Sequence, residues 1–259
     1  MTTEIQTSML PYQQWVFESI CKFSRITGTN VLEIGGTPQM IGIASHLIQK
    51  GASTVLQINN RRDLKDNVEE QLQYRRMDAR QIDYPDASFD ISFSASVLEH
   101  LLDMDDVLDE LFRVTRPGGL VCLHGGAFWN SRWGHHLWVL IDGERFAFNG
   151  NNPLPDWSHL YFDRNEMTDY LSQQGLPAEH VEIMVKWVYD SEEINRLTYD
   201  NLAEKFNRSK FDLVALEPKD WKVPDEALAN KLFALHGNKI SNYTIGEAVV
   251  VMRKPFATN

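Results

Sequence analysis

Three histidines within one aromatic stretch of the sequence could carry out proton-transfer chemistry. His135, His136 and His159 lie within residues 125–162, a stretch that also contains four tryptophans. Neutral imidazole accepts a proton near neutral pH, and aromatic side chains can form the walls of a binding pocket. We therefore take these three histidines as candidate catalytic bases, with His124 as a weaker fourth candidate.

A metal site is the alternative interpretation of the same histidines. Adjacent His135 and His136 point in different directions in most backbone conformations, and no carboxylate stands at a recognised ligand spacing from them. We therefore predict no bound metal ion. Packing in the core explains each tryptophan taken singly. The alternative is that the tryptophans together form a patch that binds a partner.

A second candidate site lies where the first predicted strand meets the next helix. Residues 30–35 form a short apolar segment that contains Glu33, and a turn that begins with Gly35 and Gly36 follows it. Such a turn brings backbone N–H groups and a helix N-terminus close to a ligand. Glu33 could accept hydrogen bonds from the turn or from a ligand ammonium group. A Gly-Gly turn alone does not identify a binding site.

Strands and helices alternate along the first half of the chain. The predicted strands are 30–35, 53–58, 89–94 and 120–124, and the predicted helices are 12–26, 40–50, 62–73 and 102–114. This alternation predicts an α/β fold with a doubly wound, mostly parallel sheet. Ligands bind beyond the carboxyl ends of the strands in such folds, which is where the Gly-Gly turn would lie.

Four sequence landmarks occur in order along this α/β region. They are Val31-Leu-Glu-Ile-Gly35, Met77-Asp-Ala79, Phe89-Asp-Ile-Ser-Phe-Ser-Ala-Ser-Val-Leu-Glu-His100 and Arg113-Val-Thr-Arg-Pro-Gly-Gly119. Together they resemble the class I S-adenosylmethionine-dependent methyltransferases, and especially the type 11-like branch. The resemblance covers residues 28–124. It implies S-adenosylmethionine as the cofactor and a small molecule as the methyl acceptor.

The resemblance also implies a cofactor-binding role for each matching position. These are Glu33, Gly35 and Gly36 for the methionine part, Gln57 for the ribose, Asp78 and Ala79 for the adenine, and Ser94 and Ala95 beside the sulfonium. The leading hypothesis is methyl transfer to an oxygen or nitrogen of the acceptor, assisted by one of the histidine bases. Glu99 and His100 are expected to pack and orient a loop.

Two departures from the family pattern keep other functions open. Thr37 and Gln39 stand where the family has glycines, and Gln57 stands where it has an acidic residue that binds the ribose. An amide can still accept one hydroxyl hydrogen bond and donate another, but without charge assistance. The alternatives are an inactive methyltransferase-like binding or scaffold protein, and a cofactor-dependent enzyme with non-methylating chemistry.

The family's fold implies a seven-stranded Rossmann-like sheet with an antiparallel last strand. We predict later strands at 181–189 and 243–253. The predicted organisation is an N-terminal helical cap of residues 1–27, a Rossmann-like domain of residues 28–189 and 242–259, and a helical insertion of residues 190–241. A long insertion is usually functional, and we expect this one to be a lid or a contact in a homodimer.

Composition narrows the partners and the location. The formal net charge of −11 argues against nucleic acid, because phosphate binding needs a basic surface. No apolar run is long enough to span a bilayer, and the first residues lack the pattern of a secretory signal. We therefore expect no membrane partner and a cytoplasmic location. Cys21 and Cys122 are expected to be reduced, buried thiols.

Overall fold

The computed structural model describes residues 8–63, 65–68 and 70–256. The strands are β1 (Asn30–Ile34), β2 (Thr54–Asn59), β3 (Asn67–Val68), β4 (Leu72–Arg76), β5 (Phe89–Ser94), β6 (Thr115–Gly126), β7 (Trp138–Ile141), β8 (Glu144–Ala147), β9 (Asp212–Asp220) and β10 (Ile245–Arg253). The helices are α1 (Pro11–Phe23), α2 (Gly42–Gln49), α3 (Met104–Val114), α4 (Ser158–Tyr161), α5 (Arg164–Gln173), α6 (Ala178–Asp190), α7 (Tyr199–Arg208) and α8 (Glu226–His236). Of the helices in the described ranges, none has the length and apolar character that crossing a bilayer requires.

One large sheet has the strand order β3-β4-β2-β1-β5-β6-β10-β9. Strands β4, β2, β1, β5 and β6 pair in parallel. The backbone of Gly118 donates to the carbonyl of Lys254, and Lys254 donates to that of Gly119, which is the reciprocal pattern of antiparallel strands. The predicted doubly wound, mostly parallel seven-stranded sheet with an antiparallel end is therefore confirmed, with two-residue β3 added at one edge.

The chain divides into two compact units. The first unit comprises the described residues of the ranges 1–125, 203–217 and 248–259, and the second comprises 126–202 and 218–247. In the first unit, α1 and α2 pack on the sheet through buried side chains such as Val16, Ile20 and Leu47. Full burial of one such side chain stabilises the fold by roughly 2 kcal/mol. The predicted first helix is confirmed, although it ends at Phe23.

The second unit has its own apolar core, which surrounds the antiparallel pair β7–β8. Leu137, Met167 and Met184 are fully buried in this core. The hairpin lies within the aromatic stretch of residues 125–162, where we predicted neither a strand nor a helix. Its turn is Asp142-Gly143, with φ of +51° and +82°. Asp-Gly is a strong hairpin signal because both central residues of such a turn need positive φ, so the sequence did contain the evidence for this hairpin.

The predicted helix at 62–73 is wrong. Strand β3 and the start of β4 lie there, while residues 64 and 69 are outside the described residues. Leu64, Val68 and Leu72 recur every fourth residue in the sequence, and this spacing imitates one face of a helix.

The predicted strand at 181–189 is also wrong, because α6 covers this range. Val181, Met184, Val185 and Val188 are its buried residues, and their spacing is that of a helix face. The stretch also contains β-branched residues, which are typical of strands. The sheet position is taken instead by β9, so residues 190–241 contain a strand as well as α7 and α8.

Arg113, the first residue of the fourth sequence landmark, has a structural role. Its guanidinium donates to the carbonyl oxygens of Ile82 and Tyr84 at 2.8 and 2.7 Å and to Glu110 at 2.8 and 2.7 Å. It therefore connects α3 to the segment before β5. The planar, forked donor set of arginine makes these bonds simultaneously, which an ammonium group cannot do.

We predict that Arg113→Lys lowers the free energy of unfolding by about 1 kcal/mol, because carbonyl oxygens lose their donors. Urea denaturation measures this change. Arg61→Lys is the matched control, since the Arg61 guanidinium pairs with exposed Asp63 on the surface. Equal stability of Arg113→Lys and the wild type would contradict this role.

Candidate functional site

The carboxyl ends of four parallel strands in the first unit lie side by side. Gly35, just past β1, donates its N–H to the carbonyl of Ile58 in β2 at 2.7 Å. Met77, just past β4, donates to the carbonyl of Asn59 at 3.1 Å. On the other side of β1, Ile34 pairs in register with Ser94 of β5. The chain reverses its winding direction between β1 and β5, and this is where open α/β sheets bind ligands.

Glu33 and Gln57 form a buried hydrogen-bonded pair at this edge. They are register partners in β1 and β2, and Gln57 Nε2 donates to Glu33 Oε2 at 2.9 Å. Burial raises the pKa of the Glu33 carboxyl to about 7, against the opposing effect of the hydrogen bond from Gln57. Glu33 therefore changes its charge near neutral pH.

The turn after β1 is closely packed by protein atoms. Gly35 has φ of +79°, and a Cβ there would lie 2.4 Å from Val97 Cγ2. A Cβ on Gly36 would lie 2.9 Å from the Gln57 side chain. Asn59, which ends β2, donates from Nδ2 to the carbonyl of Gly35 at 3.0 Å. Sequence reasoning missed Asn59, although its position at the end of β2 was the available signal.

Asp78 holds a turn beyond the end of β4. Its carboxylate accepts from the Arg80 guanidinium at 3.0 and 2.8 Å and from the Arg80 backbone N–H at 2.9 Å. The hydrogen bonds from Arg80 lower the pKa of Asp78. Ala79 is buried within the same turn. Aspartate often stabilises turns in this way, and Asp78 does so here.

Ser94 is a buried polar residue whose hydroxyl is unsatisfied. It ends β5 with no exposed surface, and its Oγ has no hydrogen-bond partner among residues 8–63, 65–68 and 70–256. Two residues later, Ser96 has φ of +63° and donates its N–H to His124 Nδ1 at 3.0 Å. Because an unsatisfied buried hydroxyl costs about 1 to 3 kcal/mol, Ser94 is a candidate for contact with a ligand. Ala95 lies beside it, half-buried.

Helix α1 brings aromatic groups to the end of β6. The Tyr12 ring stacks on His124 with 5.5 Å between ring centres, and Trp15 meets the same histidine edge-on at 5.8 Å. Burial raises the pKa of Tyr12, and the carboxylates of Glu99 and Glu33 raise it further. Tyr12 thus lies close to two buried acidic residues in the first unit.

The three candidate histidine bases all lie in the second unit and are buried there. His135 Nδ1 accepts the backbone N–H of Leu137 at 3.1 Å, and His159 Nε2 donates to the carbonyl of Trp129 at 2.8 Å. Burial lowers the pKa of His159 to about 4 and also lowers that of His135. His136 has φ of +48°, and its ring packs on Phe148 at 4.5 Å.

Known proteins resemble the part of the chain that builds the strand edge. Residues 27–123 match the sequence profile of a methyltransferase domain. The chain is 40% identical over 68 residues to malonyl-[acyl-carrier protein] O-methyltransferase of Serratia marcescens, covering 26% of this chain and 27% of that protein. It is 32% identical over 147 residues to 27-O-demethylrifamycin SV methyltransferase of Amycolatopsis mediterranei, covering 57% of this chain and 48% of that protein. The alignments thus span less than half the length of both relatives.

A solved structure shares the fold over nearly the whole chain. The S-adenosylmethionine-dependent methyltransferase of Mesorhizobium loti superposes with a TM-score of 0.54 at 16% identity, covering 94% of this chain and 98% of that protein. At this level of identity the likeness shows the fold alone.

The buried Glu33 carboxyl generates a prediction about stability and pH. Its pKa is about 7 in the folded chain and close to 4.5 in the unfolded chain. Between these values the unfolded state has lost a proton that the folded state keeps, so the free energy of unfolding falls as pH rises. The loss from this group amounts to about 3 kcal/mol.

We predict that Glu33→Gln abolishes this loss, because glutamine does not titrate and can still accept from Gln57. Urea denaturation at pH 5 and pH 8 should show the variant gaining stability relative to the wild type at the higher pH. Glu18→Gln, on the exposed face of α1, controls for the removal of one charge. Parallel pH profiles of Glu33→Gln and the wild type would contradict the assignment.

Proposed function

We propose that the protein transfers a methyl group from S-adenosylmethionine to a small molecule, because residues 27–123 match the sequence profile of a methyltransferase domain. The acceptor atom in this proposal is an oxygen or a nitrogen. The relative named malonyl-[acyl-carrier protein] O-methyltransferase supports oxygen. When bound, the cofactor supplies an electrophilic methyl group on a positively charged sulfur.

The observation that carries the proposal is the set of polar groups at the strand edge of the first unit. Glu33 is a buried acid, and among the residues that the structure describes it hydrogen-bonds to no basic side chain. Ser94 is a buried hydroxyl without a hydrogen-bond partner among the same residues. Both groups are costly for stability alone. A ligand with an ammonium group and a neighbouring cationic sulfur would use them, so the residues present fit S-adenosylmethionine.

The roles of the other residues follow their positions along the edge. Glu33 binds the ammonium group, and the Gly35–Gly36 turn lies beneath the methionine part. Gln57 orients Glu33. The ribose is bound at the end of β2, where the resemblance implies Gln57 as its partner and Asn59 offers a further amide. The remaining assignments are Asp78 and Ala79 for the adenine, and Ser94 and Ala95 beside the sulfur.

We further propose that a histidine takes the proton that leaves the acceptor, and His135, His136 and His159 are the candidates. A pKa of about 4 makes His159 a weak base. Weak basicity is sufficient here, because a hydroxyl oxygen that is being methylated becomes a strong acid. The low pKa also keeps the imidazole neutral, and therefore able to accept, at physiological pH.

We predict that calorimetry detects S-adenosylmethionine binding and that the affinity rises about fivefold between pH 6 and pH 7. The ammonium group of the ligand stays charged in this window, while the ionised fraction of Glu33 increases from about a tenth to a half. Glu33→Gln should bind more weakly and without this pH dependence. Absence of binding at millimolar concentration would overturn the proposal.

An inactive binding protein is the second candidate, and the engagement of the Gln57 amide with Glu33 favours it. Mass analysis of acceptor mixtures incubated with the protein and the cofactor separates the two functions. Gain of one methyl group in a product supports the enzyme. Binding of the cofactor without any methylated product supports the binding protein, and a substrate converted without gaining a methyl group supports non-methylating chemistry.

The histidine base is tested by His135→Ala, His136→Ala and His159→Ala, assayed with an acceptor found by mass analysis. We predict that one of the three lowers kcat by about a hundredfold while the affinity for S-adenosylmethionine stays unchanged. His180→Ala is the control, because His180 belongs to the same unit and pairs with Asp142. Wild-type turnover in all three variants would reject a histidine base.

A further inference from the structure

Several buried polar atoms in the second unit lack hydrogen-bond partners in the part of the chain that the structure describes. They include Ser131 Oγ, His135 Nε2, Ser158 Oγ and His159 Nδ1. Ser131, His135 and Ser158 have no exposed surface, and His159 is 5% exposed. Each such atom costs about 1 to 3 kcal/mol if nothing binds to it. Their concentration in one short stretch points to a group that binds them.

Backbone contacts determine which hydrogen-bonding role each histidine offers. His135 Nδ1 accepts the N–H of Leu137, so the proton of the neutral ring is on Nε2. His159 Nε2 faces the carbonyl oxygen of Trp129 and must donate to it, so Nδ1 carries the lone pair. The unsatisfied atoms are therefore one N–H donor on His135 and one acceptor on His159.

The two rings are close enough to act on one group. Their centres lie 5.6 Å apart in an edge-to-face arrangement. Edge-to-face rings at this separation are in contact with each other, so one hydroxyl group beside the pair can reach ring atoms of both. The segments that bear them are joined by a 2.8 Å bond from the Trp157 N–H to the carbonyl of Arg132. Glycine at position 134 permits this close approach, because a Cβ there would lie 2.6 Å from His159 Nε2.

The charge of the pair selects the kind of ligand. Burial lowers the pKa of both histidines, so both rings are neutral at physiological pH. A neutral donor and a neutral acceptor do not compensate a carboxylate or an ammonium group for its lost hydration. A hydroxyl group, which donates one hydrogen bond and accepts another, matches both atoms.

We propose that His135 and His159 form a recognition site for the hydroxyl group of a neutral small molecule. The hydroxyl oxygen accepts from His135 Nε2–H, and the hydroxyl proton is donated to His159 Nδ1. Ser131 and Ser158 are two further buried hydroxyl groups of the same two segments. This inference rests on the proposed function in taking the acceptor to be a hydroxyl compound, and it makes His135 and His159 specificity-determining residues.

Two conservative variants remove only the atoms in question. In His135→Asn, the side-chain oxygen can still accept from Leu137 N–H, but the Nε2–H donor is lost. In His159→Gln, the side-chain NH₂ group can still donate to the Trp129 carbonyl, but the Nδ1 acceptor is lost. His236→Gln is the matched control, because His236 Nε2 faces the carbonyl of Leu160 in the same way, outside the cluster.

The probes are phenol, toluene and benzoate, which share a benzene ring. Phenol carries a hydroxyl group, toluene a methyl group and benzoate a carboxylate. Binding is followed by ¹H–¹⁵N NMR of the imidazole nitrogens in the full chain. We expect phenol to shift His135 Nε2 and His159 Nδ1 saturably, and toluene and benzoate to leave them unchanged. Phenol affinity should fall about fivefold to tenfold in each of the two variants and stay unchanged in the His236→Gln control.

Equal phenol affinity in the wild type and both cluster variants would overturn the inference, as would shifts caused only by benzoate. Imidazole shifts unaffected by any hydroxyl probe would also overturn it, because the cluster would then bind only internal water. S-adenosylmethionine titrated into the same samples separates this failure from failure of the proposed function. Cofactor binding without a phenol response rejects the recognition site alone, and a phenol response without cofactor binding rejects the methyltransferase.

Discussion

The hydrogen bond from Gln57 to Glu33 is the constraint on which the strand edge of the first unit depends. It joins register partners of two central strands at a point where neither side chain reaches bulk water. The Gln57 side chain also limits the space above Gly36. One amide therefore positions the carboxyl group and shapes the turn after β1. Burial opposes ionisation of Glu33, and the hydrogen bond from Gln57 offsets this effect only in part. The pKa of the carboxyl group therefore stays raised.

The same physical logic governs the histidines of the second unit, although the partners there are backbone groups. A carbonyl oxygen can only accept and a backbone N–H can only donate, so each contact fixes the tautomer of the ring that makes it. The structural role of one ring nitrogen thereby determines the chemical role of the other. His135 and His159 receive opposite roles because one contacts the N–H of Leu137 and the other contacts the carbonyl of Trp129.

Local patterns in the sequence were sufficient for strands β1, β2, β5, β6 and β10, but insufficient for the edge strand β9 and for the partners of the site residues. Strand β5 was predicted at its observed bounds, since apolar residues and a turn define it locally. Helix α6 was missed because its β-branched residues favour strands, while its buried face is visible only as a spacing. The pairing of Gln57 with Glu33 depends on the register of two strands 24 residues apart, which no local pattern fixes. Asp78 was found by its motif, but its bonds to Arg80 follow from a turn that forms only in the fold.

Buried polar atoms without partners raise a question of cost that packing alone does not answer. Ser94 in the first unit could be alanine, and Ser131 and Ser158 in the second could be as well, with a gain in stability wherever nothing binds the hydroxyl. A total stability of only about 5 to 15 kcal/mol leaves little room for several such losses. Under the proposed function, contacts with a ligand recover the hydrogen bonds that these hydroxyl groups and the two neutral imidazoles lack. In this proposal, recognition depends in each unit on groups that are unfavourable for folding.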